Sequence, residues 1–319
     1  YTAGSEPAEV KAPDLDGTMR RGSVTCPVCG YTTPVESVRV QLKPRQGGAT
    51  DARLVAVVAS LQSMRRQIGG LPGMAGEGQA FDESGRFYRL PTEADLEAIY
   101  QAGTELARRE IVQNGISLIP DEKISLNELR RISVPLYGME NWGSLFTPRQ
   151  GLVLSAFTQK IARENIPIFI KTLLALVVDR LADANSSLCR WHTTREINTG
   201  TFGRQALGMV WDFSEVNAFS ESTGGFTGAL EWVIKVCDSG GAISWPGQVE
   251  NASATHHPLS SDIAQGLITD PPYYDAVPYA HLSDFFYVWL RRTLANDNND
   301  LLQRELVLKD EEIVVDRPH

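Results

Sequence analysis

The residues from Ile166 to Val178 form the longest apolar stretch of the chain, and they limit what it can fold into. The stretch contains Pro167 and Lys171 and is shorter than the roughly 20 apolar residues that a transmembrane helix needs. Between residues 168 and 181 the side chains are apolar almost all round a helical projection, which is typical of a helix buried on every side. We therefore expect a protein without a membrane partner, with this helix at the centre of a helical core.

Size and composition set the general class of the protein. The 319 residues are 42% apolar, which is enough for one large core or two smaller ones. A formal net charge of −9 argues against a generally basic protein that coats nucleic acid, but it allows a local basic groove. Only two of the four cysteines are close in sequence, which favours the reducing cytoplasm over a disulfide framework. Because the chain begins at Tyr1 with a polar segment, we expect it to be a piece of a longer protein.

The start of the chain has the pattern of a zinc-ribbon-like segment, which we place at residues 1–60. Cys26 and Cys29 are two residues apart and are followed by Gly30, whose small size lets backbone N–H groups approach the thiols. Zinc takes four ligands, so this pair would fill half of a site. Spaced apolar residues at 35–42 then predict short strands of the ribbon.

Spacing along the sequence supplies no second pair of zinc ligands. Cys189 and Cys237 are isolated, and we interpret both as buried packing residues. Three histidines would be ligands only if the fold brought them close to the pair: His192, His256 and His257. The sequence therefore predicts an incomplete metal site.

The middle of the chain, residues 61–245, has a mainly helical pattern and is interpreted as an insert. Thr92 and Thr147 are predicted N-caps, with Asp95 completing an approximate capping box and Pro148 in the first turn of the second helix. The predicted helices cover about residues 92–112, 148–161, 168–181 and 227–237. Short strands are predicted near residues 54–58 and 86–90.

The last region, residues 246–319, has a different pattern. Two short strands are predicted at Gln248–Asn251 and Gly266–Thr269, followed by a turn and by a helix at about 282–294. Strand, loop, strand, turn and helix in this order indicate part of an α/β sheet. The fold class is therefore predicted as α/β, a partial Rossmann-like sheet with a largely helical insert and an N-terminal ribbon segment.

The turn after the second strand, Asp270-Pro271-Pro272-Tyr273, is the main candidate site. The Asp270 carboxylate and the Pro271 carbonyl are both acceptors, and together they can take the two N–H bonds of an adenine or cytosine amine. The proline rings stiffen the loop without adding a donor. The Tyr273 ring offers a face on which a flipped base can stack. On these residues alone, an ordinary turn leaving a strand is an equal alternative.

A second candidate site is the polar segment 183–217, which mixes arginine with tryptophan. Arg190, Arg195 and Arg204 are its candidate phosphate contacts, and Tyr274 is a candidate wall of the base pocket. The alternatives are a salt-bridged loop packed on tryptophan and, for Tyr274, local packing. The neighbours considered for the arginine patch are Trp191, Trp211, Asn198 and Gln205, with Arg130, Arg131 and Arg149 as possible extensions.

The residues 270–292, DPPYYDAVPYAHLSDFFYVWLRR, resemble the motif segment of the adenine-specific DNA methylases that carry a zinc ribbon and an N-terminal domain of unknown function. Further blocks resemble the same family in the same order. They are RGSVTCPVCG at 21–30, YGMENWGSLFTPRQ at 137–150, DANSSLCRW at 183–191, TFGRQALGMVWDFSEVN at 201–217 and ALEWVIKV at 229–236.

The resemblance implies an S-adenosylmethionine-dependent DNA methyltransferase that acts on adenine N6 in a restriction-modification or defence system. It implies catalytic roles for the Asp270–Tyr273 turn, a DNA-recognition role for residues 61–245, and zinc bound by Cys26 and Cys29 with a second pair upstream. The family's glycine-rich cofactor turn also lies upstream of the matching region. Ser253 stands where the family often has an aspartate that contacts the cofactor, and a serine can make only a neutral hydrogen bond.

Other functions fit the same residues. A zinc-ribbon module that binds nucleic acid or serves as a scaffold, without catalysis, is the first alternative. Methylation of RNA or of a protein glutamine is a third, because the amine geometry is the same. The expected partners are DNA and either defence-system subunits or a second copy of the chain, since exposed sheet edges favour pairing.

Overall fold

The computed structural model describes residues 18–46, 49, 52–60, 86–109, 112–113, 115–241, 247–250, 252–253, 259–274, 276–294, 296–297 and 302–310. Its helices are α1 (Val35–Leu42), α2 (Glu93–Arg108), α3 (Pro148–Arg163), α4 (Ile168–Ala184), α5 (Phe226–Gly240) and α6 (Tyr279–Thr293). Its strands are β1 (Met19–Arg20), β2 (Ser23–Thr25), β3 (Thr32–Thr33), β4 (Val57–Ser60), β5 (Arg86–Arg89), β6 (Val112–Gln113), β7 (Ile116–Ser117), β8 (Arg190–His192) and β9 (Ile197–Thr199). The predicted mixed α/β class is confirmed.

Helix α4 lies at the centre of the helical core, as its apolar sequence predicts. It packs against α3, α5 and α6, and Val177, Val178 and Leu181 are fully buried in these contacts. One face differs from the expectation, because Phe169 and Leu176 remain 62% and 45% exposed. None of the described helices is both long enough and apolar enough to cross a bilayer.

Aromatic rings fill the space between α6 and the loops that lead into α3. Phe285 stacks on Phe146 with a centroid distance of 5.7 Å, and Trp289 meets Phe146 edge to face at 5.2 Å. Phe285 also contacts Trp142 and Phe202. Such ring pairs contribute about 0.5–1.5 kcal/mol each beyond their burial. This cluster holds α6 rigidly against the core.

The predicted helix starts at Thr92 and Thr147 are confirmed. The Thr147 hydroxyl accepts from the Gln150 backbone N–H, the Gln150 side chain accepts from the Thr147 N–H, and Pro148 occupies the first turn. Thr92 and Asp95 form the same reciprocal pair at the start of α2. Arg89 adds an ion pair to the Asp95 carboxylate, with a distance of 3.0 Å between Nη2 and Oδ1. Both helices therefore begin at residues that satisfy their first free N–H groups.

Replacing Asp95 by asparagine is expected to lower the free energy of unfolding by about 1 kcal/mol near neutral pH, as for the loss of a helix cap. The hydrogen bonds from Arg89 and then Thr92 hold the pKa of Asp95 well below its ordinary value. A lowered folded-state pKa contributes stability that is present above the unfolded pKa of about 3.9 and is lost as the pH falls below it. Urea unfolding of the wild type and Asp95→Asn at pH 7 and pH 3 measures the loss of unfolding free energy. An equal loss at both pH values would contradict the contribution of the Asp95 charge.

The N-terminal segment differs from the expected ribbon strands. Residues 35–42 form helix α1, because Val35, Val38 and Leu42 also share one face at helical spacing. Strands β1, β2 and β3 form a small antiparallel sheet before it. Lys43, directly after α1, lies close to Gly138. A Cβ atom on Gly138 (φ +97°) would lie 2.5 Å from the Lys43 carbonyl oxygen. Glycine is therefore required at residue 138.

The expected strands at Gln248–Asn251 and Gly266–Thr269 are not formed in the part of the chain that the structure describes, where Asn251 is not included. Every described sheet is antiparallel and has two or three strands, such as β4–β5 and β8–β9. A strand is stabilised by neighbouring strands and a packed face, and Leu267 and Ile268 are 87% and 100% exposed. The Rossmann-like sheet thus stays a prediction.

A buried ion pair joins α6 to the segment that precedes residue 123. The Arg292 guanidinium donates to both Glu122 carboxylate oxygens at 2.8 and 3.0 Å. Its Nε donates to the Ser117 carbonyl oxygen at 2.8 Å. The end of α6 is thereby fixed by contacts distant in sequence.

Candidate functional site

The Asp270–Tyr273 turn lies at the surface, shortly before helix α6. Residues 266–273 belong to no helix or strand. Asp270 and Pro271 are exposed and Pro272 is half-buried, while the Tyr273 side chain is 62% exposed. Tyr274, the predicted wall of a base pocket, is 69% exposed. The turn is therefore accessible to a large substrate.

Helix α6 anchors this loop at its C-terminal side. The Ala276 N–H donates to the Tyr273 carbonyl oxygen at 3.4 Å, and the Tyr279 N–H donates to the Val277 carbonyl oxygen at 3.1 Å. Val277 is buried, and the helix that follows is held by the aromatic cluster around Phe285. An exposed loop on a fixed helix is a suitable place for a site that must meet a substrate.

The two acceptors of the turn are free to bind a ligand. Neither the Asp270 carboxylate nor the Pro271 carbonyl oxygen takes a hydrogen bond or ion pair from any residue within the described ranges. An amino group carries two N–H donors and would be satisfied by two such acceptors. The arrangement can therefore hold an exocyclic amine, with the Tyr273 ring available to stack.

The predicted arginine patch is partly assembled. Arg190 lies on β8, and its Nη2 atom is 3.2 Å from where a Cβ of Gly203, the residue before Arg204, would be. Arg195 lies apart, in the turn between β8 and β9. All three are exposed, and none of their guanidinium groups is paired with a residue that the structure describes. The structure thus brings the Arg190 guanidinium close to the backbone at Gly203, next to Arg204 in the sequence, and places Arg195 in the hairpin turn.

Two neighbours predicted for the patch have other partners. The Trp191 indole N–H donates to the Tyr88 hydroxyl at 3.1 Å, and that hydroxyl donates to Glu196 at 2.7 Å. Asn198 is buried and donates to the Ala184 carbonyl oxygen at 2.8 Å. These two side chains fix the β8–β9 hairpin to β5 and to the end of α4.

A buried polar network positions the hairpin, and sequence reasoning missed it. The Asp183 carbonyl oxygen accepts from the Thr201 N–H and hydroxyl at 2.7 Å each, and from the Cys189 thiol at 3.3 Å. Ser186 and Thr201 share a hydrogen bond of 2.7 Å. Burial raises the pKa of the Cys189 thiol and of the Asp183 carboxyl. The run of small polar residues 185–187 was the available signal, since such residues often satisfy a helix end.

The cysteine pair lies in one turn of the N-terminal sheet. Cys26 and Cys29 lie in the turn between β2 and β3, where the Gly30 N–H donates to the Cys26 carbonyl oxygen at 2.9 Å. The backbone N–H groups of Cys29 and then Val28 lower the pKa of the Cys26 thiol, as a metal-binding thiolate requires. Within the described ranges no three His, Cys, Asp or Glu side chains could share a metal ion. The pair fits half of a zinc site.

The remaining candidates have weaker surroundings. Ser253 is exposed in the short stretch 252–253. Arg149, a possible extension of the patch, pairs with Glu215 at 2.8 Å and is neutralised by it.

Comparison with known proteins identifies no family for this chain. No protein-family model, curated protein or solved structure matches this chain, so the likeness to zinc-ribbon adenine methylases rests on the sequence motifs.

Proposed function

We propose that this chain supplies the amine-holding turn of an S-adenosylmethionine-dependent DNA amino methyltransferase, which acts on adenine N6 in a restriction-modification or defence system. The observation that carries the proposal is the Asp270-Pro271-Pro272-Tyr273 turn, exposed and with both acceptors unpaired among the described residues. The choice of adenine over cytosine comes from the family resemblance, since these residues accept either amine.

In this proposal the chain contributes alignment and electrostatics. The target base leaves the stack and places its amino group between the Asp270 carboxylate and the Pro271 carbonyl, while the Tyr273 ring stacks on the base. Two acceptors facing the N–H groups fix the nitrogen so that its lone pair points away from them, towards the methyl donor. S-adenosylmethionine, when bound, supplies the methyl group.

The cofactor itself does not fit a site among the described residues. A dinucleotide-type or methyl-donor cradle uses a glycine-rich turn after a strand. Gly224 and Gly225 precede helix α5, and Gly240 ends it. The family resemblance places the glycine-rich cofactor turn upstream of the matching region, and Ser253 contributes at most a neutral hydrogen bond.

The finer fold and metal assignments belong to the same proposal. The exposed segments at 248–250 and 266–269 would become strands of a Rossmann-like sheet once neighbouring strands are supplied. Cys26 and Cys29 would bind zinc together with a second pair of ligands. DNA is the substrate, and a second copy or defence-system subunits are the proposed protein partners.

The test is methyl transfer by the full-length protein. It is incubated with radiolabelled S-adenosylmethionine and duplex DNA, and the DNA is digested to nucleosides for separation. We expect the label in N6-methyl-2′-deoxyadenosine. Label in a cytosine derivative would move the target to that base.

A non-catalytic binding or scaffold module is the second candidate function. The lack of a cofactor turn among the described residues favours it for the isolated chain. Duplex DNA that is bound by the full-length protein but receives no label in any nucleoside would favour this module over the methyltransferase.

A further inference from the structure

We propose that a single surface strip, running from Arg39 past Trp211 to Arg190 and Arg204, binds the phosphodiester backbone of a nucleic acid. We call these residues the arginine–tryptophan strip; the buried ring of Tyr137 contacts the first two of them. The inference rests on the proposed function in one respect, because it takes nucleic acid as the substrate. It adds the path that the nucleic-acid backbone would follow over the protein surface.

The segment 204–213 forms the middle of the strip, because backbone contacts hold it on both sides. On one side, the Leu207 N–H donates to the Arg131 carbonyl oxygen at 2.7 Å. On the other, Phe213 forms a bridge with Arg190 on β8. The segment is thus fixed between the loop before residue 137 and the β8–β9 hairpin.

Ring contacts extend the strip towards the N-terminal segment. The Arg39 guanidinium carbon lies 5.4 Å from the centre of the Tyr137 ring. The Tyr137 ring meets Trp211 edge to face, with centroids 6.0 Å apart. Helix α1 is thereby joined to Trp211, which lies in the same segment, 204–213, as Arg204.

The cations at the far end of the strip are available for phosphate. Arg190 and Arg204 are exposed, and neither is paired with a residue in the described ranges. By contrast, Arg149 pairs with Glu215 and Arg292 with Glu122. In a protein with a net charge of −9, two exposed arginines that have no carboxylate partner within the described ranges are suited to bind an anion.

The aromatic part of the strip favours nucleic acid over other anionic partners. Trp211 is 41% exposed, and its ring meets the Tyr137 ring at right angles. Arginine beside an exposed, fixed aromatic ring suits a phosphate backbone and the faces of its bases. Asp212 is exposed and follows Trp211 in the sequence, and its carboxylate would repel an anion. Removing this charge therefore tests whether the ligand is negatively charged.

The experiment measures binding and is separate from methyl transfer. The 1–319 chain is titrated into a fluorescein-labelled 20-base-pair duplex, and the anisotropy gives Kd at several salt concentrations. Arg190→Gln and Arg204→Gln are expected to weaken Kd roughly fivefold to tenfold at low salt. Each is expected to reduce the slope of log K against log salt by roughly 0.9, the value for one phosphate contact.

Three further variants test the strip and its sign. Asp212→Asn is expected to tighten binding, because it removes the exposed carboxylate. On a 20-nucleotide single-stranded probe, whose base faces are open, Trp211→Ala is expected to weaken binding roughly tenfold, whereas Trp211→Phe keeps a ring and much of the affinity. Arg108→Gln is the matched control, since this side chain is 78% exposed and pairs with Glu105 on α2; it should leave Kd unchanged.

Thermal melting of each variant first shows that the fold is retained. The proposal is overturned if the wild-type chain does not bind the duplex, or if Arg190→Gln and Arg204→Gln behave like Arg108→Gln. Binding to anionic phospholipid vesicles but not to the duplex, lost in the same variants, would overturn it in favour of a membrane surface.

The proposed function can fail independently. Binding through the strip without methyl transfer by the full-length protein supports the strip and rejects the methyltransferase. Methyl transfer by the full-length protein, with unchanged Kd in the strip variants, supports the methyltransferase and rejects the strip.

Discussion

Replacing Arg292 by methionine is expected to lower the free energy of unfolding by about 3–5 kcal/mol, the usual effect of breaking a buried ion pair. The Arg292 and Glu122 side chains are only 4% and 3% exposed. Methionine fills much of the same volume but leaves the Glu122 carboxylate buried with Arg291 as its remaining cation, at 3.2 Å. The loss comes mainly from this uncompensated burial.

The backbone contacts of Arg292 add to the effect. Its guanidinium also donates to the Val288 and Ser117 carbonyl oxygens, each at 2.8 Å. Removing it takes a donor from the half-buried Ser117 carbonyl oxygen, whereas the Val288 oxygen keeps its helical donor, the backbone N–H of residue 292. The same side chain therefore connects α6, the segment at 117–122 and the helical core.

Urea unfolding followed by circular dichroism measures the change. The double variant Arg292→Met with Glu122→Leu removes both charges and should recover part of the lost stability. Arg108→Met is the matched control, because its partner Glu105 is on an exposed helix face, and it should cost less than about 1 kcal/mol. A similar loss in Arg292→Met and Arg108→Met would contradict the role of burial.

Local patterns in the sequence predict the helices well and the pairing of distant residues poorly. The apolar run at 168–181 and the capping residues Thr92 and Thr147 act within one or two turns, and the structure forms helices there. The apolar residues at 35–42 fit both the spacing of a strand and that of a helix, so the local pattern does not decide between them. Their helix, α1, packs against the short 3-10 helix Val134–Tyr137, a contact that the local sequence does not contain.

The candidate site shows the same limit. The turn at 270–273 is recognisable from four adjacent residues, whereas the hairpin that carries Arg190 depends on Thr201 and on Tyr88, which is 103 residues from Trp191. Asp179, within the apolar helix α4, is only 7% exposed, although aspartate is seldom buried. Burial raises the pKa of the Asp179 carboxyl well above its ordinary value. Long-range packing decides such positions.

Replacing Asp270 by alanine is expected to reduce methyl transfer by the full-length protein at least about 100-fold while leaving the fold intact. Asp270 is exposed and has no partner within the described ranges, so its removal disturbs no packing. The loss has a chemical cause: without the carboxylate the target amine is held by the Pro271 carbonyl alone, and misalignment of a reacting atom by about 1 Å costs roughly 100-fold. Transfer of label to DNA under single-turnover conditions measures the chemical step directly.

The controls separate alignment of the amine from loss of structure or of DNA binding. Asp310→Ala removes another exposed carboxylate and should retain full activity, and thermal melting of Asp270→Ala should match that of the wild type. Tyr273→Phe keeps the stacking face and should retain most activity, whereas Tyr273→Ala should lose it. Because Asp270 holds the amine and not the phosphates, Asp270→Ala should bind duplex DNA as the wild type does. Near-normal methyl transfer by Asp270→Ala would remove this turn from the reaction.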